Sequence, residues 1–198
     1  MIDLILLSVC SVSAFVYFFH LMYPFEKVRE SLSKISAAAG GCVLISRCAL
    51  DKIGGIAGHR NAMIDDLALA RRIKQAGLPL SLSLTKSVVS IRPYSQLSDV
   101  WNMVARSAFT QLRCSWLALI GTVLWMSILF IAPMAGICAF ICQIVSPSTP
   151  IISLVALSLM AWTYIPTIRF FRLGRSRAFT LPIACILYMA ITIAQQAK

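Results

Sequence analysis

Two adjacent carboxylates, Asp65 and Asp66, open the run Ile64-Asp-Asp-Leu-Ala-Leu-Ala-Arg-Arg-Ile-Lys-Gln-Ala-Gly77. A carboxylate held at a helix start can act as general base for a hydroxyl within hydrogen-bond reach. Its neighbour can orient it or raise its pKa. The plainer alternative is that the pair stabilises the exposed N–H groups of a helix N-terminus, worth about 0.3–1 kcal/mol. Here the pair supplies two of only seven acids, in a basic segment. Gly40-Gly41 and Gly54-Gly55 precede it. Glycine lets a substrate approach the backbone closely, and it equally serves ordinary turns, which is the main role expected of Gly54-Gly55. Arg106 and Arg113 follow. Guanidinium groups can hold diphosphate oxygens in bidentate fashion, or simply face solvent and lipid headgroups. His59, within Gly58-His59-Arg60, reads as a loop residue that could move a proton. His20, in an aromatic apolar run, reads as a buried or interfacial polar group.

These residues need elements to hold them. Residues 41–46 read as a buried strand, and 47–53 as a helical turn ended by Gly54-Gly55. Residues 65–76 read as a helix. Arg71, Arg72 and Lys74 fall in its later turns, where they suit the dipole, and Gly77 with Pro79 ends it. Residues 80–84 and 88–91 read as short strands. Residues 40–93 thus predict a small α/β segment. Residues 95–113 predict an amphipathic helix: Leu97, Val100, Trp101, Val104 and Ala108 share one face, while Asn102, Arg106 and Arg113 share another. An apolar face bearing Trp beside a basic face suits the headgroup boundary.

The rest of the chain is close to membrane-like. It has 198 residues, a net charge of +11 and a mean hydropathy of +0.84. That is too apolar for an ordinary soluble domain. All acids lie before residue 100, and no residue from Cys114 to Ile168 is charged. Three spans are expected, at 117–145, 151–168 and 178–194. Arg169, Arg172, Arg175 and Arg177 lie between the last two, so the positive-inside rule makes that loop cytoplasmic, and residues 26–113 with it. The apolar run 4–25 fits a signal peptide, a transmembrane helix or a helix lying in the interface. The domain plan is therefore 1–25 for that helix, 26–94 for the charged domain, 95–116 for the interfacial helix and 117–198 for the membrane region. The basic balance suits anionic lipid or a phosphorylated ligand. No nucleic-acid motif is present. The cysteines and histidines lack zinc-ligand spacing, so no thiolate metal site is expected.

The segments GGCVLISR, IGG and IDDLALARRIKQAG together resemble the acceptor half of family-two glycosyltransferases, in particular their hopene-associated members. The stretches AFVYFFHLMYPF and IRPYSQLSDVWNMVARSAFTQLR and the three-span C-terminus are similar too. The resemblance implies a GT-A catalytic domain, here partial, followed by about three transmembrane helices. It implies inverting transfer from a nucleotide sugar to a lipid or lipid-linked acceptor, at the cytoplasmic face of a bacterial inner membrane. Asp66 would be the general base and Asp65 its companion. Gly40 and Gly41 would belong to the acceptor loop. The family's Gln-x-x-Arg-Trp motif is not cleanly present. Spacing from Pro93 points to Arg106, whereas Gln111, Arg113 and Trp116 are the right types at the wrong spacing. Mg²⁺ or Mn²⁺ would be needed, held by an Asp-x-Asp that this sequence lacks. That departure predicts a C-terminal portion without the donor site. It also keeps open a non-catalytic membrane protein acting by association.

Overall fold

The computed structural model describes residues 2–55, 65–88, 98, 101, 102, 104, 105 and 115–196, with backbone only at 2–9, 65, 195 and 196. The chain forms two compact units. One comprises Phe18–Pro93, the other Met1–Tyr17 with Tyr94–Lys198.

The Phe18–Pro93 unit takes in the end of α1 (Ile2–Met22), then α2 (Phe25–Arg29), α3 (Arg47–Lys52) and α4 (Asp65–Gln75). Ser46 starts α3, its hydroxyl accepting from the Ala49 N–H at 3.2 Å. Leu67, Ala70 and Ile73 recur at intervals of three and form the buried face of α4. Leu67 packs with Val28 and Ala37, and around them lie Phe19, Tyr23, Ile35, Leu80 and Leu82. Gly77 ends α4 at φ +71°, where an L side chain would be strained. The Leu78 N–H then reaches back to the Ile73 carbonyl at 3.1 Å, and the Gly77 N–H to that of Lys74 at 3.0 Å.

The other unit is built of long apolar helices. α5 (Trp116–Met126), a π turn (Ser127–Ile131) and α6 (Ala132–Ile141) form one continuous rod. The π turn immediately precedes Pro133, whose ring lacks an N–H and clashes with the carbonyl four residues back. Widening one turn absorbs that conflict. α7 (Thr149–Phe170) buries Ser153, Leu157, Met160, Ala161, Tyr164 and Ile168, a single stripe at helical spacing. A 3₁₀ turn (Arg175–Thr180) leads into α8 (Leu181–Gln196). Three helices, Trp116–Ile141, Thr149–Phe170 and Arg175–Ala194, are long and apolar enough to cross a membrane. The first buries little beyond Leu119, Phe130 and Pro133, so its Trp and Leu side chains face outward nearly all round. A helix apolar on every side is suited to lipid.

Lipid supplies no hydrophobic drive between helices, so small residues and hydroxyls must do the joining. Gly136 faces Ser153 and Thr149 so closely that a Cβ there would collide with the Ser153 hydroxyl. Ser13 Oγ and Tyr164 OH, both buried, share a hydrogen bond of 2.7 Å. Tyr17 OH and Thr163 Oγ1 share another of 2.8 Å, and the Tyr188 hydroxyl donates to the Ser11 carbonyl at 2.8 Å. Residues 98, 101, 102, 104 and 105 are helical, with Val104 and Ala105 buried. The remainder of the expected amphipathic helix lies outside the described residues.

The expected α/β, GT-A-like fold of residues 26–94 is not what forms. Among the described residues there is no strand. Residues 80–84 have no regular secondary structure, and their alternation is kept only in part: Leu80 and Leu82 turn inward while Ser81 and Ser83 face out, but Leu84 is exposed. Their backbone, however, joins no ladder. Side-chain packing against α4 and its neighbours satisfies the apolar positions without a partner strand. Residues 41–46 depart further, with Leu44 99% exposed rather than buried. Of the expected strand at 88–91, only Val88 is described, in irregular conformation.

Gly136→Ala should lower the stability of the detergent-solubilised protein by about 1–3 kcal/mol through overpacking. Ser153→Ala on the same chain should restore most of it. A thermal or SDS unfolding series on the two single variants and the double variant reads this directly.

Candidate functional site

Asp66 stands in the first turn of α4 and is half-buried. Its two carboxylate oxygens have separate partners. Oδ2 accepts the Gly40 N–H at 2.7 Å, across 26 residues of chain, and Oδ1 accepts the Leu67 N–H at 2.8 Å. The first of these two bonds ties the glycine loop to the helix start. Gly40 permits this approach because it has no side chain: a Cβ there would lie 3.2 Å from Oδ2. Gly41 is exposed, with open space where a Cβ would be. The structure therefore brings together Asp66 and Gly40, two residues singled out from sequence, with Gly41 beside them. The carboxylate is oriented by two backbone donors, and each oxygen keeps a lone pair for a further partner.

Two neighbours were not legible in the sequence. Tyr23 belongs to the apolar cluster beneath α4. Burial pushes its phenol above the usual tyrosine value, the Arg71 guanidinium draws it back, and the Asp66 carboxylate adds to the rise. Tyr23 thus lies within electrostatic reach of both Asp66 and Arg71. Lys74 is the other. Its ammonium donates to the carbonyls of Lys27 at 3.1 Å and Val28 at 2.9 Å, and to that of Ile35. This single side chain fixes the end of α2 and the extended segment that leads towards Gly40. On the opposite flank the Arg72 guanidinium donates to the Ile53 carbonyl at 3.3 Å. Gly54 (φ +84°) and Gly55 (φ +72°) end α3, as their turn chemistry predicts.

Other expected site residues fall elsewhere. Asp65 begins α4, but its side chain is outside the description. His59, Arg106, Gln111 and Arg113 lie outside the described residues. His20 meets the Phe25 ring edge-on at 4.5 Å between centroids, and its Nδ1 is buried without a partner. Among the described residues no three His, Cys, Asp or Glu side chains converge to hold a metal ion. The resemblance itself places the ligands of its divalent cation outside this sequence.

Lys74→Met should strip donors from three carbonyls and cost about 1–3 kcal/mol. The expected signature is faster amide exchange across residues 27–40 in hydrogen-exchange mass spectrometry, with the membrane helices unaffected. Unchanged exchange there would remove Lys74 from this supporting role.

An acid fixed on a glycine loop, in a chain carrying apolar helices long enough to span a membrane, can be set beside known proteins. No curated protein and no solved structure matches the chain. The family described as Glycosyl transferase family 21 matches over residues 11–194. The family matched is numbered 21 rather than two, and the match carries no hopanoid connection. It covers nearly the whole chain, the Asp66 segment and the apolar helices alike, and the chain belongs to glycosyl transferase family 21.

Proposed function

We propose that the protein transfers a sugar, with inversion, from a nucleotide-sugar donor to a hydroxyl of a lipid or lipid-linked acceptor at the cytoplasmic face of the membrane. The observation that carries this reading is the Asp66 carboxylate, held by the Gly40 and Leu67 N–H groups in a glycosyltransferase-family chain. An Asp66 oxygen takes the acceptor's hydroxyl proton. The acceptor oxygen bonds to the anomeric carbon from the face opposite the leaving group. The bond from that carbon to the diphosphate oxygen breaks, and the nucleoside diphosphate departs. Asp65 would orient Asp66. Arg106, with Arg113 and Gln111, would hold the diphosphate and neutralise its growing charge. A divalent cation, if the donor arrives with one, would share that task. A hopanoid acceptor is the narrower form of this proposal and rests on the resemblance of the sequence.

The hydrogen bonds joining Ser13, Tyr17 and the Ser11 carbonyl to Tyr164, Thr163 and Tyr188 favour α1 standing beside the apolar helices rather than lying flat on the surface. Residues 23–115 would then be the cytoplasmic segment. A second reading, a membrane protein acting by association without catalysis, is favoured by the absence of an Asp-x-Asp from the sequence.

Membranes containing the full chain, given a panel of radiolabelled UDP- and GDP-sugars, should pass label into the lipid extract. Asp66→Asn keeps an oxygen for the Gly40 N–H but loses the base. It should cut kcat by about 10²–10⁴-fold while donor binding persists. Normal turnover in that variant would sink the base assignment. Donor binding by neither protein would favour association instead.

A further inference from the structure

The loop joining α7 to α8 carries four arginines in nine residues: Arg169, Arg172, Arg175 and Arg177. No acid follows Asp99 in the chain, and none of the four has an ion-pair partner among the described residues. The loop is nevertheless firmly seated. Ile168, Ala178 and Leu181, on either side of it, are all but fully buried. The Leu173 N–H returns to the Ile168 carbonyl at 3.0 Å, and the Arg172 N–H to that of Arg169 at 3.1 Å. Arg169, Arg172 and Arg175 are exposed, and Arg177 is half-buried. Arg172 sits at φ +56°, a backbone position that favours glycine, yet it bears a guanidinium. Phe170 and Phe171 stack edge to face beside it, and Phe179 is 61% exposed. The loop caps two helices long and apolar enough to cross a membrane.

We infer that this loop is a binding site for anionic phospholipid headgroups of the leaflet it adjoins, with the arginines holding phosphate oxygens and the phenylalanines entering the acyl boundary. Positive charge alone would serve to orient the helices, and lysine would do that as well. A seated turn presenting planar donors at headgroup depth does more: each guanidinium can hold a phosphate through two parallel hydrogen bonds. Loose surface attraction would be shared among all basic residues. A built site concentrates it on these four. The inference stands apart from glycosyl transfer, because lipid retention is read without turnover.

The test is native mass spectrometry of the full chain, released from nanodiscs made of equal phosphatidylglycerol and phosphatidylcholine. Wild-type protein should retain phosphatidylglycerol preferentially. Arg172→Gly removes one guanidinium where the backbone itself favours glycine, so folding should hold and thermal stability should not fall. Retention should drop roughly fivefold, as expected for one basic group at a membrane surface. A variant with all four arginines changed to lysine keeps the orienting charge and loses the forked donors. It should retain less phosphatidylglycerol than wild type. Equal retention of both lipids by wild type would overturn the inference, as would a lysine variant identical to wild type. Inorganic phosphate displacing the bound lipid would also overturn it, by making the loop a site for soluble anions.

Discussion

Lipid offers a polar group no water, and that constraint organises most of this protein. From Cys114 to Ile168 the chain has no charge, so every polar atom in the apolar helices must find a partner within the protein. The solutions are local and small. A π turn takes up Pro133, Gly136 allows Ser153 to come close, and the hydroxyls of Tyr17, Tyr164 and Tyr188 each have a partner on a distant helix. The same physics holds in the Phe18–Pro93 unit with the sign reversed. There a charged group, Lys74, satisfies carbonyls that no strand pairs.

The site follows from this economy. Among the described residues, Asp66 is positioned by main-chain donors, which costs the protein no further charged residue. Backbone donors are also stiffer than side chains, so the carboxylate direction is set by the path of the glycine loop. Anything that moves residues 27–40 therefore acts on the carboxylate through Gly40. Lys74 and the Val28–Ala37–Leu67 cluster support the candidate site in that indirect sense.

How much of this could be read from sequence depends on the range of the interaction. Ends of helices are local events, and Gly54, Gly55 and Gly77 marked α3 and α4 correctly because a left-handed residue needs nothing beyond its own turn. The apolar spans were equally plain, since length and hydropathy are sums over neighbours. The strands were not legible. Alternation of Leu80 and Leu82 with Ser81 and Ser83 records which side faces inward and says nothing about whether a second strand lies alongside. Nor could spacing reveal Tyr23 near Asp66, or the pairing of Ser13 with Tyr164, which are 151 residues apart. Asp66 and Gly40 were visible as types, but their contact was not.

The stretch from Cys42 to Ile45 shows where this design is exposed. Val43 and Leu44 project into solvent from a loop with no regular secondary structure. Exposed apolar side chains side by side invite association between copies. Once the protein is taken from its membrane, this exposed pair offers a foothold for such association. A lysine in place of Leu44 would remove the larger part of that foothold at no cost in burial, since the side chain is already in solvent.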